Sequence, residues 1–375
     1  VSTPFEKDKQ AFGEDSSGLL DLRFGNPYFL EPYWRAHNND ITILSGTKMS
    51  YKKAMVNGPL KKAIVDIHNK IGNAETKDYH VIVGHGASQV ISAALYALSL
   101  RGPKDVFATH PHFPRFEHFT MFAGNGLTFH KRPPLEVVAD KWIQIITHPN
   151  NPDASIYPIS RVMKYKVLDL CYMWPQYTEV TKYAEDIMVF SLAKATGHAS
   201  TRIGWALVKD KAIADDMAHY IEMSTSGVSY EAKYYAERIL VSQMIDFNGT
   251  CFKHGADKLK RRWETFHEAT QNNKDFKVIN CSGMFIWGAM LDEKTDATEY
   301  LKEKGILGVN GTYFGVLRKN CFRLNIGCEV EKFERLVAIC HGKTSLTSVG
   351  STTVTSAADG KSGASPKIGT DTSAG

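Results

Sequence analysis

The stretch Ser191-Leu192-Ala193-Lys194-Ala195-Thr196-Gly197-His198-Ala199-Ser200-Thr201-Arg202 carries the reading of this chain. It follows Asp186-Ile187-Met188-Val189-Phe190 and precedes Ile203-Gly204-Trp205-Ala206-Leu207-Val208, two short runs with the pattern of buried strands. A lysine, small hydroxylated residues, a glycine and an arginine therefore fall in a turn between two core strands. Loops held by a rigid scaffold often carry chemistry. One reading makes Lys194 the amine partner of a carbonyl cofactor, placed and partly desolvated. Ser191 and Arg202 then hold an anion, for which the guanidinium fork suits a phosphate. The other reading makes Lys194 and Arg202 solvent-facing loop charges. Spacing alone leaves both open.

Moving outward, residues 81–83 read as a strand, Gly84-His85-Gly86-Ala87-Ser88-Gln89 as a turn, and residues 90–100 as an apolar helix. Free amides and the helix dipole converge at such a helix start, so Gly86, Ala87 and Ser88 are phosphate candidates. The turn is not Gly-x-Gly-x-x-Gly, which disfavours a dinucleotide. Residues 105–109, 142–146 and 166–169 read as further strands. They lead into His110-Pro111-His112-Phe113, into His148-Pro149-Asn150-Asn151-Pro152-Asp153, and onto Asp169 with Cys171 and Tyr172. Asn151 suits a rigid turn that fixes an amide at a strand end. Asp169 alone reads more often as a capping or surface carboxylate. Upstream, residues 60–71 have helical spacing with Leu60, Ala63, Ile64, Ile67 and Ile71 on one face. The α/β alternation over residues 80–210 fits a doubly wound cofactor domain.

Together these segments resemble the plant alliinase and tryptophan-pyruvate aminotransferase family of pyridoxal-phosphate enzymes. The pattern is a Ser-Lys pair separated by two residues, then Thr-Gly-His-Ala, two small residues and Arg. It extends through Gly25-Asn26-Pro27 with Tyr33-Trp34, Met49-Ser50-Tyr51, Val83 to Gln89, Pro149 to Asp153, Asp169 to Tyr172 with Trp174-Pro175, and Phe322-Arg323-Leu324. The resemblance implies pyridoxal 5'-phosphate bound through a Lys194 internal aldimine. It implies an α/β fold like that of aspartate aminotransferase, with a mainly parallel central sheet sandwiched by helices and a smaller α+β C-terminal domain. By the same resemblance Phe113 stacks on the pyridine ring, Asn151 and Tyr172 hold the ring oxygen, and Asp169 faces the ring nitrogen. A carboxylate there keeps the nitrogen protonated and strengthens the electron sink. Tyr51 reaches the cofactor phosphate of the neighbouring subunit, implying a homodimer with shared active sites. Its other reading is an interface tyrosine bonded elsewhere. Gly25 shapes the pocket, and Arg323 clamps the substrate carboxylate. On residue type alone, a lone basic residue in the apolar run 322–326 calls for an anion or a salt bridge. Cys171 departs from the alanine common in plant relatives and reads as a small core residue. His112 stands where relatives often carry an aromatic.

The expected organisation is an N-terminal arm and start of the small domain over residues 1–50, a large cofactor domain over 51–245, a small domain over 246–343 and a low-complexity tail over 344–375. Helices are expected over residues 209–220, 230–244, 253–266, 297–304 and 331–340, strands over 276–278, 284–289 and 322–326, and a substrate-side loop over 308–314. The tail is dominated by Ser, Thr, Gly and Ala.

Bulk composition narrows the classes. The chain has 375 residues, 43% hydrophobic and 23% charged, the balance of an ordinary globular protein with room for more than one domain. A formal charge of +5 without local clustering suits anionic cofactors or substrates and gives no case for nucleic acid. No apolar stretch is long enough to span a bilayer. Six cysteines without Cys-x-x-Cys spacing suggest a reducing compartment, hence a cytoplasmic location, although the start at Val1 leaves processing or secretion open. The histidines form no metal motif, and no metal is expected. The expected function is transamination of an aromatic, tryptophan-like L-amino acid with a 2-oxo acid such as pyruvate. The alternative is alliinase-like β-elimination from cysteine S-conjugates or sulfoxides. A cofactor-binding protein without catalysis is a third class, opposed by intact Lys194, Asp169, Arg202 and Arg323.

Overall fold

In the computed structural model, which describes residues 18–36, 54–132 and 138–342, the chain begins with β1 (Leu20–Asp21) and α1 (Glu31–Ala36). It continues through α2 (Pro59–Ile71), β2 (His80–His85), α3 (Gly86–Ser99), β3 (Asp105–Ala108), α4 (Phe116–Ala123), β4 (Thr128–His130) and β5 (Trp142–Thr147). Next come β6 (Tyr165–Asp169), β7 (Ile187–Ser191), α5 (Leu192–Ala195), β8 (Ile203–Val208), α6 (Lys211–Thr225), α7 (Tyr230–Ser242) and α8 (Cys251–Thr270). The C-terminal part holds β9 (Phe276–Val278), β10 (Phe285–Met290), α9 (Ala297–Glu303), β11 (Ile306–Leu307), β12 (Val309–Asn310), β13 (Cys321–Asn325) and α10 (Val330–Cys340).

The large sheet has strand order β2-β8-β7-β6-β5-β3-β4. β8 runs antiparallel to β2 and β7, and the pairs from β7 to β4 are parallel. Alternate side chains of each strand enter opposite layers, as the pleat requires. Val81, Val83, Met188, Phe190, Trp205 and Leu207 join one buried cluster with Ile64, Ile67, Leu240 and Phe252 of α2, α7 and α8. Ile82, Ile187, Val189, Ala206 and Val208 join another with Val90, Leu95, Phe116 and Met217 of α3, α4 and α6. Helices thus cover both faces. That is why β5, β7 and β8 are buried at every position and are mostly apolar, with Gln144 and Thr147 in β5 and Ser191 at the end of β7 as the polar members.

This topology fixes where chemistry can sit. β2, β3, β5, β6 and β7 end at one rim of the sheet, and antiparallel β8 begins there. Open α/β sheets present their ligand crevice at that rim. Gly86, Thr109, His148, Asp169, Ser191 and Arg202 all fall on it or one residue beyond it.

A separate antiparallel sheet, β12-β13-β10-β9, forms the small domain. Its register sets Trp287 opposite Arg323 and Val309 opposite the same arginine, so Arg323 occupies an inner strand. The N-terminal arm is tied to this region, because β1 pairs in parallel with β11, Leu20 opposite Ile306.

Several elements differ from the sequence expectations. The segment 308–314, expected as a loop, contains β12 and a 3-10 helix, Gly311–Phe314. The lysine segment is not an open turn: Leu192–Ala195 forms one helical turn, followed by the 3-10 turn Ala199–Thr201. α4, β4 and the β1–β11 pair carry no expectation at all. Tyr51, with Met49-Ser50, and the tail over 344–375 lie outside the described residues. Among the described residues no helix is long and apolar enough to cross a membrane.

Candidate active site

Strand β7 delivers buried Ser191 to the rim, and α5 then turns Lys194 inward. Its side chain keeps partial solvent access while the amine is enclosed by protein, donating to the main-chain oxygen of Gly25. It also lies 5.5 Å from the centre of the Tyr172 ring. Burial lowers the Lys194 pKa to about 8, with Arg323 and Arg202 acting in the same sense against Cys171 and Asp169. The reading of Lys194 as a solvent-facing loop charge is therefore displaced.

Asp169 closes β6. Burial raises its pKa, opposed by hydrogen bonds from Cys171 and by the Lys194 charge. Its Oδ1 accepts from the Cys171 amide at 3.1 Å. The Tyr172 ring is held edge-on between Tyr177 and Phe285, with centroids 5.4 and 5.8 Å away. Burial raises the Tyr172 pKa, so its phenol stays protonated.

The start of α3 forms a second part of the site. The first amides of a helix have no intrahelical partner, and the side chain of N-capping His85 makes no cap bond. Arg202, held in a left-handed conformation at φ 54° and bonded through Nη1 to Ala199 O at 2.8 Å, brings its guanidinium against this helix start. A Cβ on Gly86, whose φ is +73°, would lie 2.5 Å from Arg202 Nη2. One on Gly204 would lie 2.3 Å from the Ala87 nitrogen. Glycine at both positions lets β8, the helix start and the arginine close up. The start of α3 beside a guanidinium suits an anion, with Ala87 and Ser88 half-buried and Gly86 bridged to Ile203 of β8.

Arg323 comes from β13 and is 4% exposed. Its Nη1 donates to Asn151 Oδ1 at 2.8 Å and its Nη2 to Arg23 O at 2.7 Å. Phe285 and Phe314 flank the guanidinium at 4.1 and 4.9 Å. Both hydrogen-bond acceptors are neutral, and buried Nε has no partner among the described residues. Burial lowers the Arg323 pKa to about 10, still a cation at neutral pH. Gly25 contributes by its lack of a side chain as well, because a Cβ there would lie 2.9 Å from the Phe285 ring.

Lys194, Asp169, Tyr172, Arg202, Asn151, Gly25 and Arg323 are thus linked by contacts or by the charges acting on Lys194. Phe113 is different. Its ring packs against Phe116 and Phe119 at 5.7 and 6.2 Å, and no described contact joins it to Lys194, Asp169 or Tyr172.

The family model described as Allinase matches residues 20–341. The chain belongs to the allinase family. Tryptophan aminotransferase-related protein 2 of Arabidopsis thaliana is 32% identical to this allinase-family chain over 345 residues, covering 80% of the chain and 76% of the relative. Alliin lyase of Allium cepa is 30% identical over 278 residues, covering 65% of the chain and 56% of the relative. Among solved structures, a Thermus thermophilus aspartate aminotransferase double mutant superposes with a TM-score of 0.70 at 17% identity, over 92% of this chain and 97% of that one. An Escherichia coli methionine aminotransferase superposes with a TM-score of 0.69 at 14% identity, over 91% and 98%. These likenesses show an aminotransferase-like fold.

Sequence reasoning assigned no site role to several residues that shape the site in this allinase-family chain. Gln176 and Tyr177 bind the carbonyl of Lys194 itself. Asn325 Nδ2 donates to Phe24 O at 2.7 Å and Asn26 O at 3.2 Å, fixing the arm around Gly25. Phe285 touches both Tyr172 and Arg323. Gly204 left a usable signal, a glycine inside an apolar strand, which often marks close backbone approach.

Proposed function

We propose that this allinase-family chain is a pyridoxal 5'-phosphate-dependent aminotransferase. Its donor is an L-amino acid with an aromatic, tryptophan-like side chain, and its acceptor is a 2-oxo acid such as pyruvate. The observation that carries the proposal is the enclosed Lys194 amine, held beside Asp169, Tyr172 and Arg323 at the strand-end rim.

The residues fit the cofactor. The Gly86 cradle, which a Cβ would fill, and the uncapped α3 start suit its phosphate, with Arg202, Ser88 and Ser191 as further contacts. Asp169 would serve the ring nitrogen and Asn151 and Tyr172 the ring oxygen, while Phe113 is assigned to a ring face by resemblance alone. Tyr51, outside the described residues, is assigned by resemblance to the phosphate of a neighbouring subunit, so a homodimer belongs to the proposal. Bound there, pyridoxal 5'-phosphate supplies an electron sink that stabilises negative charge at the substrate α-carbon.

The chain's own groups then divide the remaining work. Arg323 binds the substrate carboxylate through a two-pronged contact that fixes the α-carbon. The Lys194 amine is neutral above a pH of about 8 and takes the α-proton at Nζ. Asp169 keeps a negative partner in the site, and the aromatic walls of Tyr172 and Phe285 limit water near Lys194. Transamination requires Lys194 to return its proton to a different carbon. Loss of a Cβ leaving group gives pyruvate and ammonia instead, and the Allium cepa relative named alliin lyase makes that the second reading.

The deciding experiment loads purified protein with cofactor and presents L-amino acids, including tryptophan and cysteine S-conjugates, without an oxo acid. Mass spectrometry follows pyridoxamine phosphate, the cognate 2-oxo acid, pyruvate and ammonia. One equivalent of pyridoxamine phosphate and cognate oxo acid, with turnover only after an acceptor is added, supports the proposal. Continuous pyruvate and ammonia replaces it with the lyase.

A further inference from the structure

A helix leaves its last carbonyls without intrahelical donors, and in a four-residue helix that means nearly all of them. α5, which carries Lys194, therefore depends on donors from elsewhere, and they come from side chains. Gln176 Nε2 donates to Lys194 O at 3.0 Å and to Ala195 O at 2.9 Å. Tyr177 OH donates to the same Lys194 O at 2.9 Å. Trp34 Nε1, from the N-terminal arm, donates to Thr196 O at 2.8 Å, and its ring meets His198 edge-on at 4.7 Å. Gln176 and Tyr177 are 3% and 2% exposed, so water does not readily replace either donor. Tyr177 is anchored in turn by Phe29 of the arm and by Tyr172, with centroids at 6.2 and 5.4 Å.

We propose that Gln176 and Tyr177 are positioning residues for Lys194, holding its main-chain carbonyl from the core side so that the amine is aimed into the site. The inference rests on the functional reading of Lys194 given above. A lysine side chain has four rotatable bonds, and its amine is placed only as well as the backbone that carries it. With the carbonyl gripped by two core donors, peptide rotation at Lys194 is blocked, and the amine stays enclosed among Asp169, Cys171, Tyr172, Arg202 and Arg323. Neither Gln176 nor Tyr177 touches the amine. Their hydrogen bonds act on it through the backbone.

The test uses Tyr177→Phe, which removes one hydroxyl, and Gln176→Met, which keeps the length and removes the donor, with Gln176→Glu and the double variant alongside. Two measurements are made. Steady-state kinetics on cofactor-loaded protein should show kcat reduced roughly tenfold in each single variant and more in the double, with KM little changed, because small misplacement of a reacting group is costly. Cofactor-free protein is then treated with acetic anhydride across a pH series, and acetylation of Lys194 is followed by peptide mass spectrometry. In wild type the midpoint should lie near 8. In the variants it should move upward toward that of an ordinary lysine, because a slack carbonyl lets the amine reach solvent. Gln176→Glu should behave like Gln176→Met, since a carboxylate cannot donate to two carbonyls. Thermal unfolding identifies any variant that fails to fold, and Tyr177→Phe, the mildest change, then carries the test. If folded variants keep the wild-type kcat and the wild-type acetylation midpoint, the inference is overturned. A wild-type protein that never attaches cofactor at Lys194 instead overturns the functional reading, and the acetylation series tells these failures apart.

Discussion

The Arg323 guanidinium donates to the Asn151 side-chain oxygen at 2.8 Å, joining an inner strand of the small sheet to the loop that leaves β5 in the large one. The carboxylate site and the ring-oxygen site therefore share a hydrogen bond, although 172 residues separate them in sequence. An incoming carboxylate would meet a cation already oriented on one side, with neutral acceptors it can outcompete.

Arg323→Lys keeps the charge and loses the planar fork, and the two are not interchangeable at a two-pronged contact. The amino-acid concentration for half saturation should rise roughly ten- to hundredfold, or about 1.4 to 2.8 kcal/mol. Asn151→Ala should raise it less. Separate titrations with amino acid and with cofactor check this, since cofactor affinity should change little in Arg323→Lys. Equal weakening of both would place Arg323 outside the substrate site.

Lys194→Ala should abolish turnover and all covalent, borohydride-fixable attachment of pyridoxal phosphate, read as a mass shift on the intact protein. Non-covalent binding should persist, because Gly86, Ala87, Ser88 and Arg202 are untouched. Steady turnover by this variant would sink the assignment. In wild type, kcat should fall as pH drops through about 8, where burial places the titration of the Lys194 amine, which is free only once the amino acid has displaced it from the cofactor.

Two glycines separate steric need from conformational need. Gly204→Ala would drive a Cβ to 2.3 Å from the Ala87 nitrogen, and that neighbour is backbone. The variant should lose on the order of 3 kcal/mol of stability and bind cofactor phosphate more weakly. Gly72→Ala, at φ +77° with nothing within 4 Å of its Cβ, should cost only about 1 kcal/mol and leave the cofactor alone. Urea unfolding and a phosphate titration on both variants distinguish these outcomes.

Much of this architecture was legible because burial on both faces writes itself into sequence. β8 is a continuous apolar run, β7 is one up to its terminal Ser191 and β5 is broken only by Gln144 before its terminal Thr147, and α2 repeats Leu60, Ala63, Ile64 and Ile67 at helical spacing. β1, β11 and β12 have two residues each, too few to show a period, and their pairing is decided by distant partners. α4 reads Phe-Glu-His-Phe-Thr-Met-Phe-Ala, in which aromatics mask the helical face. At the site, residue type flagged Arg323, a lone charge in an apolar run, whereas Lys194 and Asp169 had a bland reading each and drew their roles from the ordered set of motifs around them. The Gln176 and Tyr177 contacts were illegible because their acceptors are main-chain oxygens, which carry no residue identity. The expected placement of Phe113 on the cofactor ring has no counterpart among its described contacts, which are with Phe116 and Phe119.

Beneath the site, His68 ties the sheet to α2 through a network with one consistent proton arrangement. Trp205 Nε1 donates to His68 Nε2 at 2.9 Å, so Nε2 is the acceptor and Nδ1 carries the hydrogen. Nδ1 then donates to Asn73 Oδ1 at 2.6 Å, and Asn73 Nδ2 donates to Met173 O at 2.8 Å. The ring stacks on Trp174 at 5.4 Å. A second proton on Nε2 would face the indole N–H, and burial already holds the pKa down at about 4 against the ordinary 6.5. The folded state therefore binds fewer protons than the unfolded one between these values. This site's contribution is complete above pH 6.5 and is lost as pH falls toward 4, a change on the order of 3 kcal/mol. His68→Phe cannot titrate, but it leaves the Trp205 donor and the Asn73 acceptor unpaired, at about 1 to 3 kcal/mol each. Wild type should be the more stable protein at pH 7, and its lead should shrink by about that 3 kcal/mol by pH 4, as measured by urea unfolding of both proteins. A lead that stays constant across the series would mean that His68 is protonated in the folded protein and that the tautomer assigned here is wrong.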